Sequence, residues 1–167
     1  MTPLPPPIGP GGIRLWRLDR TRHASTWDSG EGSYIAGGRW NSRGRRIIYC
    51  ALDPATAILE VAVHKTFRTL DTDPHTLTSG RLTNPALVRR LDPADIPNPN
   101  WLVPGVPSSG QQGFGDDLLD RHEIVFVPSV VSRHSWNAIV SIAGRSALDD
   151  VQQQPFVLDP RLHPPAS

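Results

Sequence analysis

Prolines and glycines interrupt this chain at short intervals, and this spacing limits the folds open to it more than any other feature. The 167 residues include 18 prolines and 14 glycines, and both residue types end or kink regular elements. The pattern favours short elements joined by long, ordered loops over a helical bundle. The length suffices for one compact domain and is too small for two ordinary domains. Loops should therefore shape any active cleft.

The regular segments between these interruptions contain more strands than helices. Strand patterns cover residues 13–18, 47–52, 86–88, 123–129, 137–142 and 156–158, and loops are expected over 19–38 and 92–112. Asp53 followed by Pro54 predicts a helix that extends to Phe67, and a shorter helix is expected over 116–121. Because several strands follow one another without a crossover helix, the order favours an α+β fold of mixed sheets flanked by helices over a doubly wound parallel sheet.

The ends of the chain and its single cysteine bear on its compartment. We expect a poorly ordered, Pro/Gly-rich leader over residues 1–12, one domain over 13–162 and a tail over 163–167. The amino terminus lacks the basic and apolar regions of a secretion signal, and no stretch approaches the ~20 apolar residues of a membrane span. Cys50 is the only cysteine, which leaves no intramolecular disulfide and no cysteine cluster for zinc. These features predict a cytoplasmic protein without a membrane partner.

The balance of charge argues against broad electrostatic binding. The formal net charge is +1, too little to draw the chain to duplex DNA or to an anionic membrane. Lys65 is the only lysine among 17 basic residues, and arginine suits forked contact with phosphate or carboxylate. A general bias in composition explains the arginines as a set more simply, so position has to decide which of them matter.

Glu60 is the residue that most needs a chemical explanation. It lies within an apolar helical run from Ala57 to Val63, where a carboxylate costs several kcal/mol, on the order of an ion's burial penalty, unless it is paired, hydrated or used. Thr56, Glu60 and His64 are spaced four apart and share one helical face. That polar face either meets solvent, as most helical glutamates do, or lines a site, and the apolar flanks favour the site.

Four further side chains stand where a ligand could reach them. Tyr49 lies in a strand that should be covered on both faces, and Arg39 follows two glycines whose backbone freedom can present it to a ligand. Arg17 lies near the end of the first strand, and Ser129 follows the proline that ends a later one. Each also has an ordinary explanation as a core tyrosine, a surface arginine or a turn serine. The chain has no nucleophile elbow, HExxH spacing or P-loop, so neither a serine hydrolase nor a metal is indicated.

Taken in order, these residues resemble the RES domain family over about residues 13 to 160. The resemblance rests on Arg17, Gly37-Gly38-Arg39-Trp40-Asn41, Ile47-Ile48-Tyr49, Ala57-Ile58-Leu59-Glu60-Val61 with His64, and Val127-Pro128-Ser129. The family is named for arginine, glutamate and serine positions, and its members are bacterial toxins of type II toxin–antitoxin systems that consume NAD. The chain departs from the family pattern at Ile139–Gly144, where an Asn-Pro-containing stretch is common.

The resemblance implies a fold and a set of roles. The fold would be related to the diphtheria-toxin-like ADP-ribosyltransferases, with NAD in a cleft between small sheets and flanking helices. Glu60, Arg39 and Tyr49 would be catalytic, with Glu60 at the reacting ribose and Tyr49 on the nicotinamide side. The NAD-binding positions would be Arg17, Arg39, Tyr49, Ser129 and Asn137, with the arginines near the pyrophosphate. No metal is implied, and no cofactor beyond NAD as substrate.

Several functions remain open from the sequence. The leading one is a toxin that degrades NAD by cleaving the nicotinamide–ribose bond, as a glycohydrolase or a phosphorylase. An ADP-ribosyltransferase that modifies a protein acceptor is the enzymatic alternative. In a third hypothesis the domain is a non-catalytic module that binds a dinucleotide or a partner protein, and Glu60 only holds arginines in place through ion pairs. The resemblance further implies an antitoxin whose helix-turn-helix part binds DNA and which covers the cleft, so DNA contact would be indirect.

Overall fold

The computed structural model describes residues 12–165, so residues 1–11 of the expected leader and residues 166–167 of the expected tail lie outside the described part. The strands are β1 (Arg14–Arg20), β2 (Ile47–Ala51), β3 (His75–Leu82), β4 (Val88–Arg90), β5 (Ile124–Pro128), β6 (Trp136–Ser141) and β7 (Leu148–Phe156). The helices are α1 (Glu31–Ala36), α2 (Pro54–Thr72) and α3 (Ser109–Arg121), and short 3-10 turns cover Thr21–Thr26, Pro85–Leu87, Pro93–Asp95, Ala143–Ala147 and Pro160–Leu162. No helix within residues 12–165 is long and apolar enough to cross a membrane.

The strands form one mixed sheet in the order β4-β5-β6-β2-β1-β3-β7. Every neighbouring pair is antiparallel except β4 and β5. The join between β2 and β1 is thin, because Trp16 opposite Ala51 is its only backbone pair, whereas β1 pairs with β3 along its whole length. The α+β class is thus confirmed, and the expected small sheets are two parts of one sheet, β4-β5-β6-β2 and β1-β3-β7.

Arg17 reinforces the thin join with its side chain. Its Nη1 donates to the main-chain oxygen of Tyr49 at 2.9 Å, which spans the two parts of the sheet where the backbone ladder is missing. Its Nε and Nη2 donate to the two carboxylate oxygens of Asp19 at 2.7 and 2.8 Å. Forked pairs of this kind fix both orientation and distance. Arg17 therefore acts in this structure as a link between β1 and β2.

The two faces of β2 enter different cores, as the alternation of its side chains predicts. Ile48 and Cys50 are buried in a cluster with Phe126 and Val140. Ile47 belongs to a second cluster on the other face, against which Tyr49 packs. The second cluster also contains Trp40, Trp101, Leu118, Val127 and Ile139. The tyrosine thus lies on the face that carries the loop before α3.

Helix α2 begins where the sequence predicts. The carboxylate of Asp53 accepts hydrogen bonds from the Thr56 amide at 2.8 Å and from its hydroxyl at 2.5 Å, and Pro54 occupies the first turn. The helix is broken at Thr66, whose φ is 69°, and then continues to Thr72, five residues past the expected end. Positive φ is strained for a β-branched residue, so the break separates the segment that carries Glu60 from the second helical stretch.

Other elements differ from the sequence-based expectation. The expected loop over 19–38 contains a 3-10 turn and α1, β3 was not anticipated, and α3 begins at Ser109 instead of near residue 116. The strand expected at 86–88 begins at Val88, and the one expected at 156–158 ends at Phe156. The strands expected over 13–18, 47–52, 123–129 and 137–142 are present within one or two residues of the expected bounds.

Candidate active site

The Glu60 carboxylate accepts two hydrogen bonds from the sheet beneath α2. The Ser129 hydroxyl donates to Oε1 at 2.8 Å, and the Asn137 side-chain nitrogen donates to the same oxygen at 2.6 Å. Ser129 follows the last residue of β5, and Asn137 lies on β6 opposite Val127. Glu60 thereby meets two residues that lie 69 and 77 positions later in the chain. This contact explains how a carboxylate is accommodated among apolar neighbours.

The direction of the serine hydrogen bond is fixed by the turn that follows. The Ser129 Oγ accepts the backbone N–H of Ser132 at 3.0 Å, so the single hydroxyl proton is left for Glu60. The backbone N–H of Ser129 donates to the Ser135 oxygen at 3.0 Å, and the residue is fully buried. The turn 129–135 therefore holds the donor in place before any ligand binds.

Both donors act on Oε1, so neither of them occupies Oε2. The Asn137 oxygen, Oδ1, is buried and has no hydrogen-bond partner among residues 12–165. A buried acceptor without a partner costs about 1–3 kcal/mol, unless a bound molecule supplies the donor. Glu60 and Asn137 together therefore offer acceptor atoms to a ligand rich in hydroxyl or amide donors.

A second group of residues is built around the Tyr49 hydroxyl. It donates to Asn41 Oδ1 at 2.7 Å and accepts the Trp40 amide at 3.1 Å. A methyl group at Gly38 would lie 2.5 Å from that hydroxyl oxygen, which explains why a glycine stands there. Burial raises the pKa of Tyr49 above its ordinary value. The phenol therefore stays neutral and serves as a fixed donor and acceptor.

Helix α3 and Asn41 hold the segment that carries Arg39. Asn41 is fully buried, and its Nδ2 donates to the backbone oxygens of Ser33, Ser42 and Arg45. Gln112 donates to the Gly38 oxygen at 3.0 Å. At Gly115 a methyl group would come within 2.1 Å of the Trp40 oxygen, so only glycine allows this approach of α3.

Arg39 extends from this segment toward the loop before α3. Its Nη1 donates to the Trp101 oxygen at 2.8 Å, and its Nη2 donates to the Val103 oxygen at 3.3 Å. Partial burial lowers the pKa of the guanidinium, and the negative charge of Glu60 works against that shift. The Arg39 segment is also tied to Tyr49, because the Trp40 amide donates to the tyrosine hydroxyl.

The expected site residues fall into three groups. Glu60, Ser129 and Asn137 are in direct contact. Tyr49 lies on the strand that pairs with the strand of Asn137, and Arg39 is joined to Tyr49 through the Trp40 amide. The Arg17 side chain bonds the Tyr49 main-chain oxygen and the Asp19 carboxylate. On the predicted polar face of α2, Thr56 supports the helix start and His64 is exposed, so only Glu60 of that face reaches the site.

Two supporting residues escaped the sequence reasoning. Asn41 receives the Tyr49 hydroxyl, and Ser132 directs the Ser129 hydroxyl. Asn41 was visible at the end of the Gly-Gly-Arg-Trp-Asn segment, but nothing in that segment says which buried hydroxyl it would meet. Ser132 lies in a polar turn without any distinguishing pattern. Within residues 12–165, no group of three or more His, Cys, Asp or Glu residues is arranged to hold a metal ion.

The fold is thus a mixed α+β domain in which the glutamate of a helix is held by a serine and an asparagine of the sheet. The chain belongs to the RES domain family, whose model matches residues 14–160.

Individual relatives cover nearly the whole chain. A protein of Photorhabdus laumondii named Toxin Res is 31% identical over 153 residues, covering 89% of this chain and 96% of that protein. The Toxin Res of Pseudomonas putida is 34% identical, covering 89% of this chain and 98% of that protein. A protein of a Sphingobium species named Prs ADP-ribosylating toxin is 27% identical, covering 89% of this chain and 95% of that protein.

A solved structure has a similar fold. In the crystal structure of the M. tuberculosis MbcT–MbcA toxin–antitoxin complex, one chain aligns with a TM-score of 0.58 and 21% identity. The alignment covers 90% of this chain and 86% of that chain. At this identity the similarity bears on the fold alone.

Proposed function

We propose that this chain is the toxin of a toxin–antitoxin system and an enzyme that cleaves the bond between nicotinamide and ribose in NAD. The observation that carries the proposal is the Glu60 carboxylate, held through one oxygen by Ser129 and Asn137. Relatives of similar length that are named as toxins support the biological role. The donors fix the orientation of the carboxylate and leave Oε2 for a substrate.

The chemistry needs only one carboxylate. Breaking the C1′–N bond sends its electron pair to the pyridinium nitrogen, so nicotinamide leaves neutral and requires no general acid. Positive charge then builds on the ribose, and a negative charge fixed beside it stabilises this oxocarbenium-like state. We assign that role to Glu60 Oε2, which also accepts hydrogen bonds from ribose hydroxyl groups. An acceptor oxygen completes the reaction by bonding to C1′ and losing its proton.

The remaining groups position the dinucleotide. Arg39 offers a forked donor pair to the phosphates, provided that it exchanges its present partners, the oxygens of Trp101 and Val103. The unpaired Oδ1 of Asn137 suits an amide or hydroxyl donor of the substrate. Tyr49 supplies a neutral aromatic wall on the nicotinamide side. Arg17 acts through the sheet join and the Tyr49 backbone, unless a phosphate displaces one of its contacts.

The proposal is tested by following NAD loss and nicotinamide release by purified protein, with and without phosphate. We expect Glu60→Gln to lower turnover by about a thousandfold or more, because it removes the negative charge at the developing cation. Glu123→Gln, the same change at an exposed position, should leave turnover unaltered. Free ADP-ribose identifies hydrolysis, and its phosphorylated product identifies phosphorolysis. Equal turnover by wild type and Glu60→Gln would refute the proposal.

Transfer of ADP-ribose to a protein is the second candidate, and the relative named Prs ADP-ribosylating toxin favours it. In that case nicotinamide release would depend on adding an acceptor protein, and label from adenine-labelled NAD would remain on that protein after denaturation. The same Glu60→Gln variant separates either reaction from a binding module, since a module would bind NAD without releasing nicotinamide.

We further propose a cognate antitoxin that covers the cleft, with any DNA contact made by the antitoxin. The fold similarity to a chain of a toxin–antitoxin complex motivates this partner. Co-expression with the neighbouring reading frame should suppress toxicity and yield a stable complex. Failure of the complex to protect NAD would argue against a cleft-covering antitoxin.

A further inference from the structure

A cavity of about 220 Å³ lies beside Arg39, on the side of the loop before α3. Its lining consists of Arg39, Asn98, Asn100, Val103, Pro104, Val106, Pro107 and Ser108. The loop is fixed at both ends, because Trp101 is buried against Trp40 with ring centroids 6.3 Å apart and Ser108 caps α3 through the Gln111 amide at 3.1 Å. The loop that lines the cavity is therefore anchored on both sides, and the lining includes none of Glu60, Ser129 and Asn137.

The walls of this cavity combine flat apolar surface with amide groups. Pro104, Pro107 and the valines offer ring and methyl surface, while Asn98 and Asn100 offer donors and acceptors at the edge. Arg39 is the only charged residue in the lining. A flat heteroaromatic ring with hydrogen-bonding edges, joined to an anion at one end, matches this combination of surfaces. A purine nucleoside phosphate is a ligand of that kind.

The buried side chain of Gln111, which contacts Asn98, contains an unpaired polar atom. Gln111 is 1% exposed, and its Oε1 accepts the Asn98 side chain at 3.3 Å. Its Nε2 is buried and has no hydrogen-bond partner among the described residues. A buried donor left unpaired is costly, so the Asn98–Gln111 pair has hydrogen-bonding capacity that the described residues do not use.

The position of Arg39 joins this cavity to the Glu60 site. The guanidinium lines the cavity, and the next residue, Trp40, donates its amide to the Tyr49 hydroxyl at 3.1 Å. A dinucleotide has its phosphates between its two nucleosides, so one cation in this position can hold them with a nucleoside on either side. We propose that the cavity binds the adenosine half of NAD while the nicotinamide ribose meets Glu60. This inference rests on the proposed function.

The test compares NAD with nicotinamide mononucleotide, which has the same scissile bond and no adenosine half. Val106 is 97% exposed, so Val106→Asp should not disturb folding and places a negative charge at the cavity mouth. We expect kcat/KM for NAD to fall about tenfold, because the charged side chain replaces apolar surface of the cavity that would hold the adenine. For the mononucleotide, which leaves the cavity empty, kcat/KM should stay within about twofold. Val157→Asp, the same change at a site 85% exposed near the carboxyl end, is the matched control.

A binding measurement separates this inference from the proposed reaction. Calorimetric titration of the Glu60→Gln protein with adenosine 5′-phosphate should give binding that Val106→Asp weakens about tenfold and Val157→Asp does not. That result supports the adenosine subsite even if NAD is not turned over. Equal losses on NAD and on the mononucleotide, or binding of adenosine 5′-phosphate that ignores Val106→Asp, would overturn it while leaving the role of Glu60 intact.

Discussion

The two sides of the cleft are held in different ways. On the carboxylate side, Glu60 is oriented by Ser129, which directly follows β5, and by Asn137 on the neighbouring strand β6. On the arginine side, Arg39 is held by two main-chain oxygens of a loop whose Val103 is 57% exposed. The first arrangement is complete before substrate arrives, whereas the second has to exchange partners when a phosphate binds.

This difference predicts a division in the kinetics. Residues that orient Glu60 act on the charge that develops during bond breaking, so their loss should lower kcat. Residues on the arginine side act equally on substrate and transition state, so their loss should raise KM. Variants on the carboxylate side therefore test the expected fall in kcat, and variants on the arginine side test the expected rise in KM.

Among the residues that hold Glu60, the largest effect is expected from Asn137→Asp. The substitution keeps the size of the side chain and replaces the donor 2.6 Å from Glu60 by a second carboxyl group. Near pH 8 we expect kcat to fall by about a hundredfold, because two ionised carboxylates repel each other and displace Glu60. As the pH falls, kcat should partly recover, because a proton shared by the pair restores a hydrogen bond. A pH profile parallel to that of Asn137→Ala would contradict this account.

Ser129→Ala should have the next largest effect. We expect kcat to fall about tenfold with KM unchanged, since Glu60 retains one of its two donors. The lost hydrogen bonds should also lower the free energy of unfolding by about 1 kcal/mol. Ser135→Ala changes the same turn without touching Glu60 and serves as the control. A rise in KM instead of a fall in kcat would mean that Ser129 contacts substrate directly.

On the arginine side, Arg39→Lys should raise the KM for NAD about fivefold and leave kcat within about twofold, since lysine keeps the charge and loses the fork. The same change at Arg43, an exposed arginine of the following turn, should leave both constants unaltered. Initial rates over a range of NAD concentrations separate the two outcomes. A fall in kcat alone would place Arg39 with the catalytic carboxylate and remove the proposed division.

The carboxylate side could be predicted from the sequence better than the arginine side. Glu60 stood out because its helix has a clear start and apolar flanks, and the family resemblance added Ser129 and Asn137. The loop that holds Arg39 is rich in proline and glycine, and such a segment specifies turns without specifying which oxygen meets a guanidinium. Trp101 anchors this loop, because it is buried against Trp40.

The missed elements have identifiable physical causes. Strand β3 (His75–Leu82) is rich in hydroxyl residues and includes a glycine, so it lacks the apolar run expected of a strand between two others; its identity comes from pairing with β1 and β7. The first turns of α3 contain Gly110, Gly113 and Gly115, which weaken a helical prediction. Gly115 stands there because of its close approach to Trp40, a contact that no local pattern reveals.

The smallest effect on turnover is expected from a substitution of Cys50 on β2. Burial raises the pKa of Cys50 to about 12 and that of Tyr49, on the same strand, above its ordinary value. Both groups keep their protons to higher pH in the folded chain than in the unfolded chain. In the unfolded chain the pKa is about 8.5 for the thiol and about 10 for the phenol. Their contribution to stability is therefore complete below those values and declines above them by up to about 1.4 kcal/mol per pH unit for each group.

Cys50→Ala should remove the earlier part of this decline in denaturant unfolding between about pH 8 and 11, and leave turnover near neutrality unaltered. The slope of stability against pH is the informative quantity, because the lost side chain lowers stability at every pH. An unchanged slope would mean that the thiol ionises as readily in the folded protein as in the unfolded one.

The thin join between β1 and β2 has a consequence for the lifetime of the site. Helix α2 packs against both strands, and Glu60 reaches from it to Asn137 in the β4-β5-β6-β2 part. Opening at Trp16–Ala51 breaks one backbone pair and the Arg17 contact with Tyr49, far fewer bonds than separating β1 from β3. We expect amide hydrogens at this join to exchange with solvent sooner than those of the neighbouring ladders. We also expect the interval between such openings to limit how long Glu60 stays hydrogen-bonded to Ser129 and Asn137.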